Sequence, residues 1–416
     1  MSTQHYKHNK EYENAHGFKE DFKLSESAKT FLRRFLKGFG SGVGLFAGFK
    51  LVSALMRNPF REKFPNIPQV IMSKDCARFA AFLGLYPSLY ELTLDLVQRF
   101  RGRKDDWNSG IAGGLAGLSI VVEEPTRRRV VCLFAIARAI GALLSTLVKR
   151  DKIPIIPHTD TLFFCACCSL LVYCNALKPQ YLFEGYYRSV LKWSRDYTDK
   201  KLHSLFRATN DHFVTCNEVG LHKDTCTMHA IKDVLWSFPA FAKLYIPIHV
   251  TPVLVFRQKL VWQKPMKVLK SLIQNIVMST TFLASMVMLA KYVICLLRNV
   301  QHRPPPLPGY IPAIAGFTAG LGVLFERASR RKELALFLVP HSLYALYLWA
   351  KEAGLVRHIP YSSVVLYALS MASVMHAYER EPESLSVLLH GILRYFVGKR
   401  ESTVERRRRE ISETSM

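Results

Sequence analysis

The sequence repeats itself. Ile111-Ala-Gly-Gly-Leu-Ala-Gly117 returns as Ile314-Ala-Gly-Phe-Thr-Ala-Gly320, and the offset of 203 residues then holds without a gap. The correspondence runs for about eighty positions, long enough to be a whole structural unit. Glu123 falls on Glu326, Arg127 on Arg330, Phe134 on Phe337, Pro157 on Pro360 and Pro179 on Pro382. These are mostly glycines, prolines and charges, where backbone geometry or solvation restricts the residue. One fold unit is therefore expected twice.

The repeated segment belongs in a membrane. Half of the 416 residues are hydrophobic although 57 are Lys or Arg, and the mean hydropathy is +0.08. Val130–Val148 is broken only by Arg138 and Asn275–Leu297 only by Lys291; about 20 apolar residues cross a bilayer as helix. The net charge of +25 gathers beside such runs, at Arg57, Arg61 and Lys63, at Arg99, Arg101, Arg103 and Lys104, and at Arg127–Arg129. Basic residues spread in this way, without interleaved aromatics, argue against a nucleic-acid partner. They suit membrane lipids with anionic headgroups, at about 1 kcal/mol for each residue near the surface. Loops on both sides are basic, so charge does not set the orientation.

The expected fold class is an all-α polytopic membrane protein, two homologous halves of about five apolar helices each. Its expected parts are a polar N-terminal tail (1–37), a first membrane half (38–177), a hydrophilic insert (178–238), a second membrane half (239–378) and an amphipathic, basic C-terminal tail (379–416). The first thirty residues contain no Arg and no apolar core, unlike a signal peptide or matrix presequence. Spanning glycine segments would make each half odd and the pair inverted, with Glu123 and Glu326 near opposite faces. If those segments fall short, both lie on the same face. Most of the nine cysteines lie inside apolar runs, so no secreted disulfide framework is expected.

Four sets of residues stand out. Gly40, Gly44 and Gly48 recur every fourth residue, and Gly113, Gly117, Gly316 and Gly320 recur in both halves, as close-packed helix faces require. Glu123 with Arg127 and Glu326 with Arg330 have the spacing of an ion pair that either lines a polar path or marks a helix boundary at the headgroups. His158 and Asp160 read either as an acid–base pair at the membrane rim or as the start of a helix. Cys216-x5-His222-x3-Cys226-x2-His229 offers four zinc-type ligands in the insert, enough for a closed structural site; the alternative is ordinary thiols and surface histidines. No phosphate loop, nucleophile elbow or dinucleotide fingerprint is present, so no enzyme, no catalytic residue and no cofactor beyond a structural zinc is expected.

The motifs resemble those of the transmembrane protein 135 family. Ile111–Gly117, Lys152–Thr161 and Leu177–Tyr181 are similar to its C-terminal half. Ala315–Gly320, Glu326–Arg331 and Leu393–Lys399 are similar to its N-terminal half, and Cys216, His222 and Cys226 to the cysteine-rich leader before it. The two halves stand in swapped order. The family is in turn similar to a group of peroxisomal membrane proteins and mitochondrial import-translocase channel subunits. The resemblance implies a multi-pass protein of the peroxisomal membrane, or alternatively a mitochondrial one, tied to mitochondrial division and lipid homeostasis. Two activities are compatible with it: a solute or lipid pathway, and a translocase-like or scaffold subunit acting through membrane-protein partners.

Overall fold

A computed structural model describes residues 24–57, 66–154, 156–256, 258–357 and 359–398, and no strand occurs among them. In chain order the helices are α1 (Leu24–Arg57), α2 (Ile67–Ile71), α3 (Lys74–Arg101), α4 (Asp106–Gly117), α5 (Pro125–Lys149), α6 (Thr159–Leu177), α7 (Glu184–Ser194) and α8 (Asp199–Phe206). Then follow α9 (Cys226–Phe256), α10 (Gln258–Gln263), α11 (Pro265–Gln301), α12 (Tyr310–Gly320), α13 (Ala328–Glu352), α14 (Ser362–Arg380) and α15 (Val387–Phe396). Local chemistry sets several ends. Ser73 Oγ accepts from the Cys76 amide (3.2 Å) and Asp105 Oδ1 from that of Asn108 (3.2 Å), satisfying first-turn donors. Pro125 and Pro265 occupy first turns, where the missing N–H costs nothing.

The expected boundaries shift. From Leu24 the chain is already in α1, so the polar tail and the first glycine segment share one helix; residues 1–23 and those from 399 on lie outside the description. The insert likewise runs into the second membrane half without a break, because α9 starts at Cys226. Four described helices, α5, α6, α11 and α13, are long and apolar enough to cross a membrane. The glycine helices α4 and α12 have 12 and 11 residues and end in 3-10 turns, Leu118–Val122 and Leu321–Phe325. About 20 residues are needed to span. Counted with those turns, the glycine segments run from Asp106 to Val122 and from Tyr310 to Phe325, close to the lower end of the spanning range.

The chain forms two compact units, Met1–Ile155 with Ile359–Met416, and Ile156–His358. These are not the halves 38–177 and 239–378. The two points where the chain changes unit are themselves 203 residues apart. In the first unit α1 packs on α3, and α4 lies against α3 and α14, with α14 also on α5. In the second, α9 packs on α11, and α12 lies against α11 and α6, with α6 also on α13. Each glycine helix thus takes as its partner the third helix of the other half.

Glycine makes these contacts possible. A Cβ on Gly117 would stand 2.9 Å from Ala368 Cα, and one on Gly113 2.6 Å from Met375 Cβ. At the repeat-related positions a Cβ on Gly320 would stand 2.5 Å from Cys165 Cα, and one on Gly316 2.5 Å from Cys168 O. Ala368 is the repeat partner of Cys165, so the contact itself is duplicated. In α1 the packing face is a different one from that expected: Gly38 and Gly42 are buried, and a Cβ on Gly42 would lie 2.6 Å from Ala80 Cα. Gly40, Gly44 and Gly48 meet nothing within 4 Å. Two residues turn a helix by about 200°, which puts the two glycine rows on opposite sides.

Hydrogen bonds fix the same helices. Tyr90 Oη pairs with Ser109 Oγ (3.0 Å), which donates to Met375 O (2.7 Å), joining α3, α4 and α14 in the first unit. Ion pairs close the ends of the exchanged helices with opposite sign. In the first unit Arg150 and Lys149 face Glu381 (2.5 Å) and Glu383 (3.1 Å). In the second, Glu352 faces Lys178 (3.6 Å) and accepts from Tyr181 Oη (2.5 Å). Position 149 repeats as 352 and 178 as 381, so the charges at these two positions are reversed between the units, although Glu381 pairs with Arg150 and Lys149 with Glu383.

Candidate metal centre

The site is built on the hydrophilic insert, within the second unit. After α7 the backbone turns at Arg195, and Thr198 Oγ1 caps α8 by accepting from the Lys201 amide (3.4 Å). Thr215 and Glu218 then form a reciprocal cap: Thr215 N donates to Glu218 Oε2 (3.1 Å) and Glu218 N to Thr215 Oγ1 (3.3 Å). This tight turn, closed by Leu221 N to Cys216 O at 2.8 Å, presents Cys216 inward. Thr225 Oγ1 accepts from Met228 N (3.3 Å), starting α9 with Cys226 at its first position.

Cys216, His222 and Cys226 converge on Cys295, on α11, and the four ligand atoms lie within 4.8 Å of one another. Cys216 Sγ is 3.9 Å from Cys295 Sγ, which is 3.7 Å from His222 Nε2. A tetrahedron with zinc–sulfur bonds of about 2.3 Å has edges of about 3.8 Å. His229 is the expected ligand that does not join. Its Nε2 pairs with Asp196 Oδ2 at 3.1 Å and its ring stacks on His222 at 4.5 Å.

The surroundings suit thiolates. Arg298, 1% exposed, directs Nη1 at Cys216 Sγ (3.7 Å) and Nη2 at Val214 O (2.6 Å). Asn299 Nδ2 donates to Cys226 Sγ (3.1 Å). The bond shared with Cys295, the Arg298 guanidinium and the His222 ring together pull the Cys216 thiol well below the usual range, against the effect of burial. Beside the thiols lies a buried web of charges. Lys291 Nζ bridges Asp196 and Asp233 (2.9 Å to the latter), Arg195 also pairs with Asp233, and Ser194 O accepts from Lys291 (3.1 Å). Burial alone would raise the Asp196 carboxyl, but Lys291 and His229 hold it below the carboxylate range.

Sequence reading missed Cys295 because it stands far from the insert inside an apolar run, where a cysteine passes for a small apolar residue. A signal was present. Lys291, Cys295 and Arg298 fall at helical spacing on one face of α11, a polar stripe that a lipid-facing helix would not carry.

The Glu–Arg pairs are turns duplicated to the hydrogen bond. Arg127 Nη1 donates to Glu123 Oε1 (2.9 Å) and Arg330 Nη1 to Glu326 Oε1 (3.0 Å). Arg128 caps the 3-10 turn through Val121 O (2.8 Å) and Glu123 O (2.9 Å); Arg331 does so through Leu324 O (3.0 Å) and Glu326 O (3.1 Å). Both pairs lie between a 3-10 turn and the start of the next helix. The second copy adds polar partners, for Ser279 Oγ donates to Glu326 Oε2 (2.7 Å) and accepts from Arg330 (2.9 Å), with His249 Nε2 3.1 Å away. His158 and its repeat partner Tyr361 both have left-handed backbone, φ 61° and 59°, immediately before a helix. Asp160 accepts from the Thr161 amide (2.9 Å), as a helix start requires.

Residues 213–350, which hold Cys216, His222, Cys226 and Cys295, match the family model of the N-terminal cysteine-rich region of Transmembrane protein 135. The match covers about a third of the chain and supports a relationship to that family of membrane proteins. No solved structure matches.

Proposed function

We propose that this protein is a multi-pass component of the peroxisomal membrane, with the mitochondrial membrane as the second choice, and that it serves membrane and lipid homeostasis by providing a lipid or solute pathway. One observation carries the reading. Each glycine helix buries its small face and turns an apolar one outward, and that wall ends at a run of basic residues. Ile111, Leu115 and Leu118 are 42–47% exposed above Arg127–Arg129, and Ile314, Phe317 and Leu321 are 40–44% exposed above Arg330–Lys332. An apolar wall meeting cations is the chemistry that acyl chains and anionic headgroups recognise. We assign no catalytic residue. The cofactor that accompanies this reading is a structural zinc in the second unit.

A second reading has one observation in its favour. Along the α4–α14 and α6–α12 seams the glycines leave no room even for a Cβ, which would stand 2.5–2.9 Å from the facing helix, as suits a scaffold or translocase-like subunit that works through a membrane-protein partner. Localising the tagged full chain against peroxisomal and mitochondrial markers, and measuring the phospholipid composition of those organelles after its loss, tests the first reading. Peroxisomal residence with altered lipid is expected. Residence in the secretory pathway with glycosylated loops overturns it, and correct residence with unchanged lipid favours the scaffold.

A further inference from the structure

We propose that Cys216, His222, Cys226 and Cys295 are the four ligands of one zinc ion that fastens the insert to α11. The proposal rests on the structural-zinc reading and fixes its ligand set. The geometry comes from four separate places in the fold: a capped turn, the loop after it, the first residue of α9 and the C-terminal part of α11. Nothing in local secondary structure requires three thiols and an imidazole to meet there.

Three features of the surroundings point to a metal rather than to free thiols. The first is the tautomer of His222. Its Nδ1 lies 2.8 Å from Asp224 O; a carbonyl only accepts, so Nδ1 carries the proton and Nε2, the atom among the sulfurs, keeps its lone pair. Outer hydrogen bonds of this kind orient metal-binding histidines. The second is that Cys216 and Cys226 each have their own donor, Arg298 and Asn299, as coordinated thiolates do. The third is charge. Three thiolates, one divalent cation and the buried Arg298 guanidinium sum to zero. A disulfide between Cys216 and Cys295 would instead remove the thiolate that Arg298 faces. His229 is excluded by its engagement with Asp196, and its stacked ring instead packs the ligand His222 in place. With all four positions filled by protein, the ion has no open site for substrate and its role is structural.

The test uses full-length protein purified in detergent under reducing conditions, measured for bound zinc and then reloaded with Co²⁺, whose charge-transfer absorption follows the number of thiolate ligands. About one zinc per chain is expected for a four-ligand site. Cys295→Ser should remove roughly a third of the thiolate absorption, in line with three sulfur ligands, and weaken retention by more than the 10–100-fold typical of outer-shell loss. His229→Ala should leave both unchanged. Wild type itself gives a check free of any folding defect: chelation should expose Cys216, Cys226 and Cys295 to alkylation while Cys132, in the first unit's core, stays protected. Zinc retained in Cys295→Ser but lost in His229→Ala overturns the ligand set and leaves the structural zinc standing. Wild-type protein without zinc, with alkylation indifferent to chelator or with a Cys216–Cys295 disulfide, overturns both.

Discussion

The two units share their turns and differ in what fills them. Glu123, Arg127 and Arg128 make the bonds that Glu326, Arg330 and Arg331 make, and Gly117 on Ala368 repeats as Gly320 on Cys165. Around this common frame the side chains differ in chemistry. The Arg127 guanidinium lies over the Phe46 ring (5.6 Å), whereas Arg330 has His249 at the repeat-related position, 3.5 Å away. Cys76 is replaced by Ser279, Ser88 by Lys291, Leu92 by Cys295 and Asp95 by Arg298. Backbone-limited positions survived duplication, and side-chain positions free to vary took on separate chemistry in one copy. The comparison also shows that the 203-residue offset reaches back into α1 and α3 as packing, well before the motif at residue 111, with Phe79 on Phe282 and Ala81 on Ala284.

The largest expected effect separates the two buried carboxylates. The carboxylates are buried but their arginines are 28% and 35% exposed, so each loss should fall below the ~3–5 kcal/mol typical of a fully buried pair. Glu326→Ala strips partners from Arg330 and from the fully buried Ser279, while Glu123→Ala strips Arg127, which retains Asp75 at 3.9 Å. Thermal unfolding in detergent should fall more for Glu326→Ala; equal falls would show that the added polar partners contribute nothing.

Next come the glycines. Gly320→Leu and Gly117→Leu should each lose about 1–3 kcal/mol by overpacking, with Gly320 the worse because its Cβ would meet backbone at 2.5 Å rather than 2.9 Å. Gly44→Leu, on the open row of α1, should fall within about 0.5 kcal/mol of wild type. A Gly44 variant as damaged as the Gly117 one would restore the glycine row first read from the sequence.

The glycine helices and Glu–Arg turns were legible because few residues can do their work. Helix exchange was not. Both halves carry a small residue opposite the second glycine, Ala368 and Cys165, so by pattern α6 fits α4 as well as it fits α12. Gly40, Gly44 and Gly48 misled for a related reason: α1 has glycines on two opposite sides, and only Ala80 and Gly84 on its partner decide between them. Three of the four thiol-site positions, Cys216, His222 and Cys226, were visible as a local cluster; Cys295 comes from tertiary contact.

The smallest effect concerns the charge-reversed ends. Lys178→Glu sets two carboxylates together in the second unit and should lower its melting slightly, in a salt-sensitive way, with recovery in the Lys178→Glu, Glu352→Lys double variant. Recovery that fails at low salt would mean the pair does no more than solvate the helix ends.

Helix exchange is tested most directly by short thiol cross-linking between helix ends, in protein whose cysteines in α3, α5 and α6 are replaced. Arg150→Cys with Glu381→Cys, and Glu352→Cys with Lys178→Cys, replace groups now in contact at 2.5 Å and 3.6 Å. Both pairs should cross-link within single chains at high yield. Failure of both, with product instead from Arg150→Cys paired with Lys178→Cys inside the first half, would contradict the exchange.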